Sequence, residues 1–226
     1  MTTSVFQPNP PATSDNRIHW HNLQECTQAI AFANLASEQT RPLAIFVTDN
    51  LHAERLAHDI QFFSSTPLNI ILFPDRETLP YDHFSPHEDI VSARLHALSQ
   101  LSIDPPHIFI APLSTVMHYL PPHEHILAHT FCLTVGDEIS LSDFTSRLQT
   151  SGYHRTDQVI THGEYALRGS IIDIFPMGGQ TPYRIELFDN QIESLRSFDP
   201  ESQRTTHKCQ QITLLPAHEF PLTDEA

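Results

Sequence analysis

Arg168, Arg184 and Arg196, with Phe188 between the last two, are the residues of this chain whose types and spacing suit chemistry with a partner. They fall in HGEYALRGSIIDIFPMGGQTPYRIELFDNQIESLRSFDPESQRT, which begins at His162 and reads as strands joined by tight turns. Successive strand side chains face opposite sides. Tyr183, Ile185 and Leu187 therefore form a core face, and Arg184, Glu186 and Phe188 share a solvent face, with Phe188 about 13 Å from Arg184 at the usual strand rise. The preceding strand repeats the pattern, with Tyr165 and Leu167 on one side and Glu164, Ala166 and Arg168 on the other. Arginine beside an exposed aromatic is the composition of a protein-binding patch, because both types are enriched in interface cores. A blander reading makes Phe188 the cap of a small core and puts the arginines in surface ion pairs.

Other chemistry finds little to work with. All six glycines (136, 152, 163, 169, 178 and 179) lie in the second half, and Lys208 is the only lysine. A P-loop needs glycine backbone and a lysine against phosphate, and a dinucleotide fingerprint needs glycines after its first strand. Neither can be built, so no nucleotide cofactor is expected. Among the sixteen histidines, His123, His125 and His129, with Glu124, are densest. Their spacing is not that of a zinc helix, and a proline-bounded linker preorganises ligands poorly. Asp173, Glu186, Asp189 and Glu193 have the chemistry for a divalent cation, but Asp173 alternates with Ile172 and Ile174 and is more simply a strand residue facing solvent or an arginine. No serine or cysteine sits in a nucleophile motif. The expectation is a chain without catalytic residues, metal or cofactor.

Composition narrows the partners. A net charge of −15, from 27 acidic and 12 basic side chains, opposes a broad nucleic-acid surface. Eleven of the twelve basic residues are arginine, a bias that suits bidentate pairing and that a genome-wide preference would equally produce. Cys26, Cys132 and Cys209 form neither a disulfide framework nor a CxxC site, which fits a reducing cytoplasm. No signal peptide is evident, and no apolar run approaches membrane-spanning length.

The elements that must position the arginines read as an α/β chain. Residues 1–16 form a flexible arm. Helical character over 23–35, buried strands at 43–47, 69–73 and 107–111, and a helix carrying Leu51, Leu56, Ile60 and Phe63 point to a parallel sheet. A long irregular loop opens residues 74–101. Ser85, Pro86 and Glu88 then supply cap, first-turn proline and capping-box acid for a helix from Pro86 to about Gln100. A short helix over 114–120 ends at Pro121-Pro122, which marks a domain boundary. A strand over 130–135, a helix capped by Ser140 and ended at Gly152, the arginine-bearing strands and a strand over 211–215 complete a smaller α/β domain. The expected domains are 17–125 and 126–216, with a tail from 217.

LPYDHFSPHEDIVSARLHALSQL, the arginine-bearing stretch and the terminal LLPAHEFP together closely resemble the N-terminal region of the bacterial transcription-repair coupling factors, the Mfd family. The likeness runs from about Leu43 onward. The excision-repair protein UvrB shares the second segment in general form, but it would carry a working P-loop and a long aromatic hairpin, absent here. The resemblance implies a UvrB-like parallel-sheet domain with a degenerate nucleotide site, then a domain that docks on the repair protein UvrA. By motif, the UvrA contacts would be Arg168 in EYALRG, Arg184 in PYRIELF and Phe188, with Arg196 in ESLRSFD as a further neighbour. Arginines would pair with partner carboxylates and Phe188 would anchor. Members of that family also bind RNA polymerase and drive along DNA, through regions this chain does not contain. The implied role is a non-catalytic recruiter of UvrA in nucleotide excision repair, with its docking face permanently open. Residual UvrB-like nucleotide or nucleic-acid processing, or a structural fragment inactive in isolation, are the alternatives.

Overall fold

The computed structural model describes residues 17–21, 23–78, 85–103 and 106–220. The expected arm over 1–16 and the end of the expected tail, 221–226, lie outside them, as does part of the expected loop. The chain divides into two compact units, one drawn from residues up to Asp75 and from Ile103–His118, the other from Arg76–Ser102 and from Tyr119 onward.

In the first unit, α1 (Glu25–Glu38), β1 (Leu43–Val47), α2 (Asn50–Phe63) and β2 (Ile70–Leu72) follow in order. The next helix, α3 (Glu88–Ile103), lies almost wholly in the second unit, and the chain then returns through β3 (Ile108–Pro112) and α4 (Leu113–Val116). The three strands run parallel in the order β1-β3-β2. Ala29, Ala33 and Ala36 of α1 and Ala53, Leu56 and Ile60 of α2 pack with Ile45, Val47, Ile108 and Ile110. Small side chains let the helices approach the β-branched strand face closely. The expectation that β1 is covered on both faces is corrected: Ile45 and Val47 are buried, but Ala44 and Phe46, which point the other way on this edge strand, are exposed.

In the second unit, α5 (His123–His129), β4 (Phe131–Thr134) and α6 (Leu141–Thr150) lead into β5 (His154–Arg155), β6 (Glu164–Arg168), β7 (Ile171–Ile174), β8 (Tyr183–Phe188), β9 (Gln191–Phe198), β10 (Thr205–Cys209) and β11 (Gln211–Leu214). Six strands form one sheet, β10-β9-β8-β7-β6-β5, antiparallel from β6 to β10, and β4 pairs with β11. The apolar face of the large sheet carries Tyr165, Ile172, Ile174, Ile185, Leu187, Ile192 and Leu195, which pack with Phe131, Leu133, Phe144, Leu148 and Leu214. Ser140 caps α6 through the N–H of Asp143, as its sequence predicts.

Four expectations change here. Helix α3 begins at Glu88, two residues late, because the carbonyl of His87 takes the first helical hydrogen bond, from the Ile90 N–H at 2.9 Å. Its Leu95 lies in the core of the second unit with Val91 and Leu98 alongside, so it groups with the later residues although its sequence position suggests the earlier domain. His123, His125 and His129 lie on helix α5, not in a solvated linker, because Ile126 buries one side of that turn. The residues from 217 are also no loose tail up to 220: Ala217 donates its N–H to the Ser151 carbonyl at 2.7 Å, and Glu219 is buried between arginines.

Candidate functional site

Cross-strand partners share one face of a sheet, and the strand register therefore defines the candidate surface. One row runs Ala166, Asp173, Arg184, Arg196, Lys208 across β6 to β10, and the next runs Arg168, Ile171, Glu186, Ser194 across β6 to β9. Phe188 ends β8 on the same side, opposite Gln191. All four residues singled out from the sequence thus come to one face, the reverse of the apolar core. The side of this face nearest Ala166 is closed by Val159, Ala166, Phe175 and Phe198.

The four differ in how free they are. Phe188 is 70% exposed, at the end of its strand, where Asp189 takes a φ of +53° to turn the chain back into β9. The large ring is thus held mostly in water beside a tight hairpin turn. Arg168 is exposed and donates from Nη2 to the Asp157 carbonyl at 2.8 Å. Arg184 is tied down: Nε and Nη2 donate to Oδ1 and Oδ2 of Asp173 at 2.7 and 2.9 Å, a fork-to-fork pair, and its guanidinium carbon lies 5.1 Å from the Phe198 ring centroid. The hydrogen bond it donates to Asp173 holds the Arg184 pKa above the ordinary arginine value. Arg196 is under-paired. Its Nη2 stands 3.6 Å from Glu186 Oε2, beyond hydrogen-bond reach, its Nε is buried without an acceptor, and Glu186 already accepts from the Ser194 hydroxyl.

Of the two alternatives for Asp173, solvent or an arginine, the structure shows the second: it is buried and faces Arg184. Lys208 carries no signal of a place on this face in the sequence, and strand pairing puts it directly opposite Arg196. Its place depends on an irregularity in β10 between Thr205 and Lys208, for which sequence alternation carries no signal.

Elsewhere, no group of three or more His, Cys, Asp or Glu that could hold a metal occurs among the described residues. Asp173 is occupied by Arg184, and Glu186 by Ser194, so the acidic set considered for a cation is already paired in part. No helix among the described residues is long and apolar enough to cross a membrane. At the start of α2, where a phosphate-binding loop would follow β1, the Asp49 carboxylate accepts from the His52 N–H at 2.8 Å and from the Thr48 hydroxyl at 2.8 Å. These contacts depress the Asp49 pKa, the backbone hydrogen bond most.

Residues 131–220, which carry this face, match the family model of the UvrB interaction domain. Over its whole length the chain is 40% identical to the transcription-repair-coupling factor of Haemophilus influenzae, of which it covers 20%. It is 42% identical over 198 residues to the transcription-repair-coupling factor of Escherichia coli, and 33% identical over 184 residues to that of Staphylococcus haemolyticus, covering 17% and 15% of those proteins. The chain thus spans about a fifth or less of the length of these relatives, and its likeness to the N-terminal region of transcription-repair-coupling factors, read first from its motifs, is shown.

Proposed function

We propose that this chain is a non-catalytic interaction module that recruits UvrA, and through it nucleotide excision repair, in the manner of a transcription-repair coupling factor. The observation that carries this reading is the convergence of Arg168, Arg184, Phe188 and Arg196 on one sheet face, with Phe188 exposed on a tight turn. An exposed aromatic flanked by arginines has the make-up of an interface hot spot. Arg184 acts through Asp173 as a fixed, planar cation, while Arg168, Phe188 and Arg196 make the movable contacts. RNA polymerase and DNA would be engaged through regions of the longer relatives that this chain does not contain.

The parallel-sheet unit is read as a UvrB-like domain whose nucleotide site is degenerate. Support comes from the junction of β1 and α2. The Asp49 carboxylate takes up the His52 N–H that a phosphate would use, and a fixed negative charge there repels phosphate at contact distance. Cytoplasmic placement follows from the same role.

Titration of purified UvrA into the chain by calorimetry tests the reading. Saturable binding is expected, weakened at least tenfold by Phe188→Ala together with Arg168→Ala, whose exposed side chains contribute little to folding. Absence of heat with a folded chain at high concentration would sink it, and leave architecture as all that the likeness reports. ATP should produce no saturable heat.

A further inference from the structure

Three cations stand directly opposite one another on neighbouring strands of the large sheet: Arg184 on β8, Arg196 on β9 and Lys208 on β10. Like charges in directly opposed cross-strand positions destabilise a sheet, so each needs compensation from somewhere. Arg184 has it, from Asp173. Arg196 has only a 3.6 Å approach to Glu186 and a buried Nε without an acceptor. Lys208 is exposed, on an edge strand exposed along nearly all its length, and no ion pair involves it among the described residues. Across the two cross-strand rows the cations Arg168, Arg184, Arg196 and Lys208 outnumber the carboxylates Asp173 and Glu186 by four to two, in a chain whose net charge is −15.

We infer that Lys208 extends the docking face beyond Arg196, the two forming a two-cation clamp at the β9–β10 edge that takes an acidic segment of the protein partner. This rests on the reading of the face as UvrA-binding and adds where, and with what chemistry, the partner is held. The clamp takes carboxylates about 5 Å apart, the spacing of neighbouring strands. One carboxylate accepts from the Arg196 guanidinium, which swings away from its weak contact with Glu186. The other meets the Lys208 ammonium. Phosphates of a nucleic acid are the competing ligand. The net charge of the chain disfavours them at long range, and a single lysine and one half-exposed arginine make a poor track for a polyanion.

The clamp predicts opposite movements of stability and binding. Lys208→Glu places a carboxylate opposite Arg196, so the free chain should melt at an equal or higher temperature, while affinity for UvrA falls at least tenfold. Arg55→Glu, the same charge change on α2, should leave affinity within about twofold. Lys208, as the chain's only lysine, should also appear in carbodiimide crosslinks to acidic residues of UvrA, mapped by mass spectrometry. If wild-type chain does not bind UvrA, the underlying reading fails and the clamp with it. If it binds and Lys208→Glu binds equally well, only the clamp is wrong. A lower melting temperature in Lys208→Glu would assign Lys208 a structural role and overturn the clamp. So would wild-type affinity for a short DNA duplex matching that for UvrA and lost in Lys208→Glu.

Discussion

Arg184 is the residue most open to misreading by alanine scanning, because its partner is buried. The Asp173 side chain is 2% exposed and that of Arg184 18% exposed, and the two make a bidentate pair at 2.7 and 2.9 Å. Unit charges centred about 4 Å apart attract by about 4 kcal/mol at an effective dielectric near 20. Removing one partner of such a pair commonly costs about 3–5 kcal/mol, since the other charge stays buried without compensation. The partial exposure of Arg184 lets water reach Asp173 once the arginine is gone, which favours the lower end. Arg184→Ala should therefore lower unfolding stability by about 3 kcal/mol, and much of any lost UvrA binding would be loss of fold. Replacing the pair together by Asp173→Val and Arg184→Leu should recover most of the stability, because well-packed apolar residues substitute for buried ion pairs at little cost. The assay is urea unfolding of the wild type, Arg184→Ala, Asp173→Ala and the Ala,Ala double variant, read as a double-mutant cycle. A coupling energy of about 2 kcal/mol or more is expected. Additive effects, or a cost below about 1 kcal/mol for Arg184→Ala, would refute the assignment of Arg184 to positioning and return it to the free contacts.

Further consequences concern the ground on which the face is built. Glu219 accepts from Arg94 Nε at 2.5 Å and from Arg76 Nη2 at 2.6 Å, and Arg94 is fully buried. Glu219→Ala should cost about 3 kcal/mol or more in urea unfolding; a loss under about 1 kcal/mol would show that the arginines are held adequately without it. The Tyr153 hydroxyl donates to the Leu215 carbonyl at 2.7 Å and accepts from the Met177 N–H, and burial pushes its pKa well above the ordinary value. Tyr153→Phe should cost about 1–3 kcal/mol in the same measurement. Burial pushes the His218 pKa below 6.5, aided by His154 and then His125, and burial likewise lowers His125, aided by His129 against a backbone hydrogen bond at His218. A folded-state pKa below the unfolded one means that the unfolded chain takes up more protons as pH falls, so stability is present above about pH 6.5 and declines below it. The melting temperature should drop between about pH 7.5 and 5.5, and less steeply in His125→Gln,His218→Gln; equal slopes would remove these histidines from the account.

Local information in the sequence determined the elements and the sidedness of the key strand. The alternation in Tyr183–Phe188 puts Ile185 and Leu187 in the core and leaves Phe188 in water, because strand geometry allows only two faces. The run 43–47 is a strand, Ser140 caps a helix, and the absent glycines and lysine exclude a phosphate loop before β3, each for a reason contained in a few neighbouring residues. Pairing between distant strands is not local, and there the sequence was silent. Only the register of β7 with β8 joins Asp173 to Arg184 and changes that arginine from a free hand into a fixed one. Only the register of β9 with β10 sets Lys208 against Arg196, since the irregularity before Lys208 resets which side chains share a face. Helix α3 has a capping sequence legible in isolation, yet packing of Leu95, Val91 and Leu98 decided which unit it joins. The same holds for Glu219, a polar residue in a stretch too poor in apolar side chains to fold alone, which becomes buried because Arg76 and Arg94 are already in place to meet it, as Ser151 meets its neighbour Ala217.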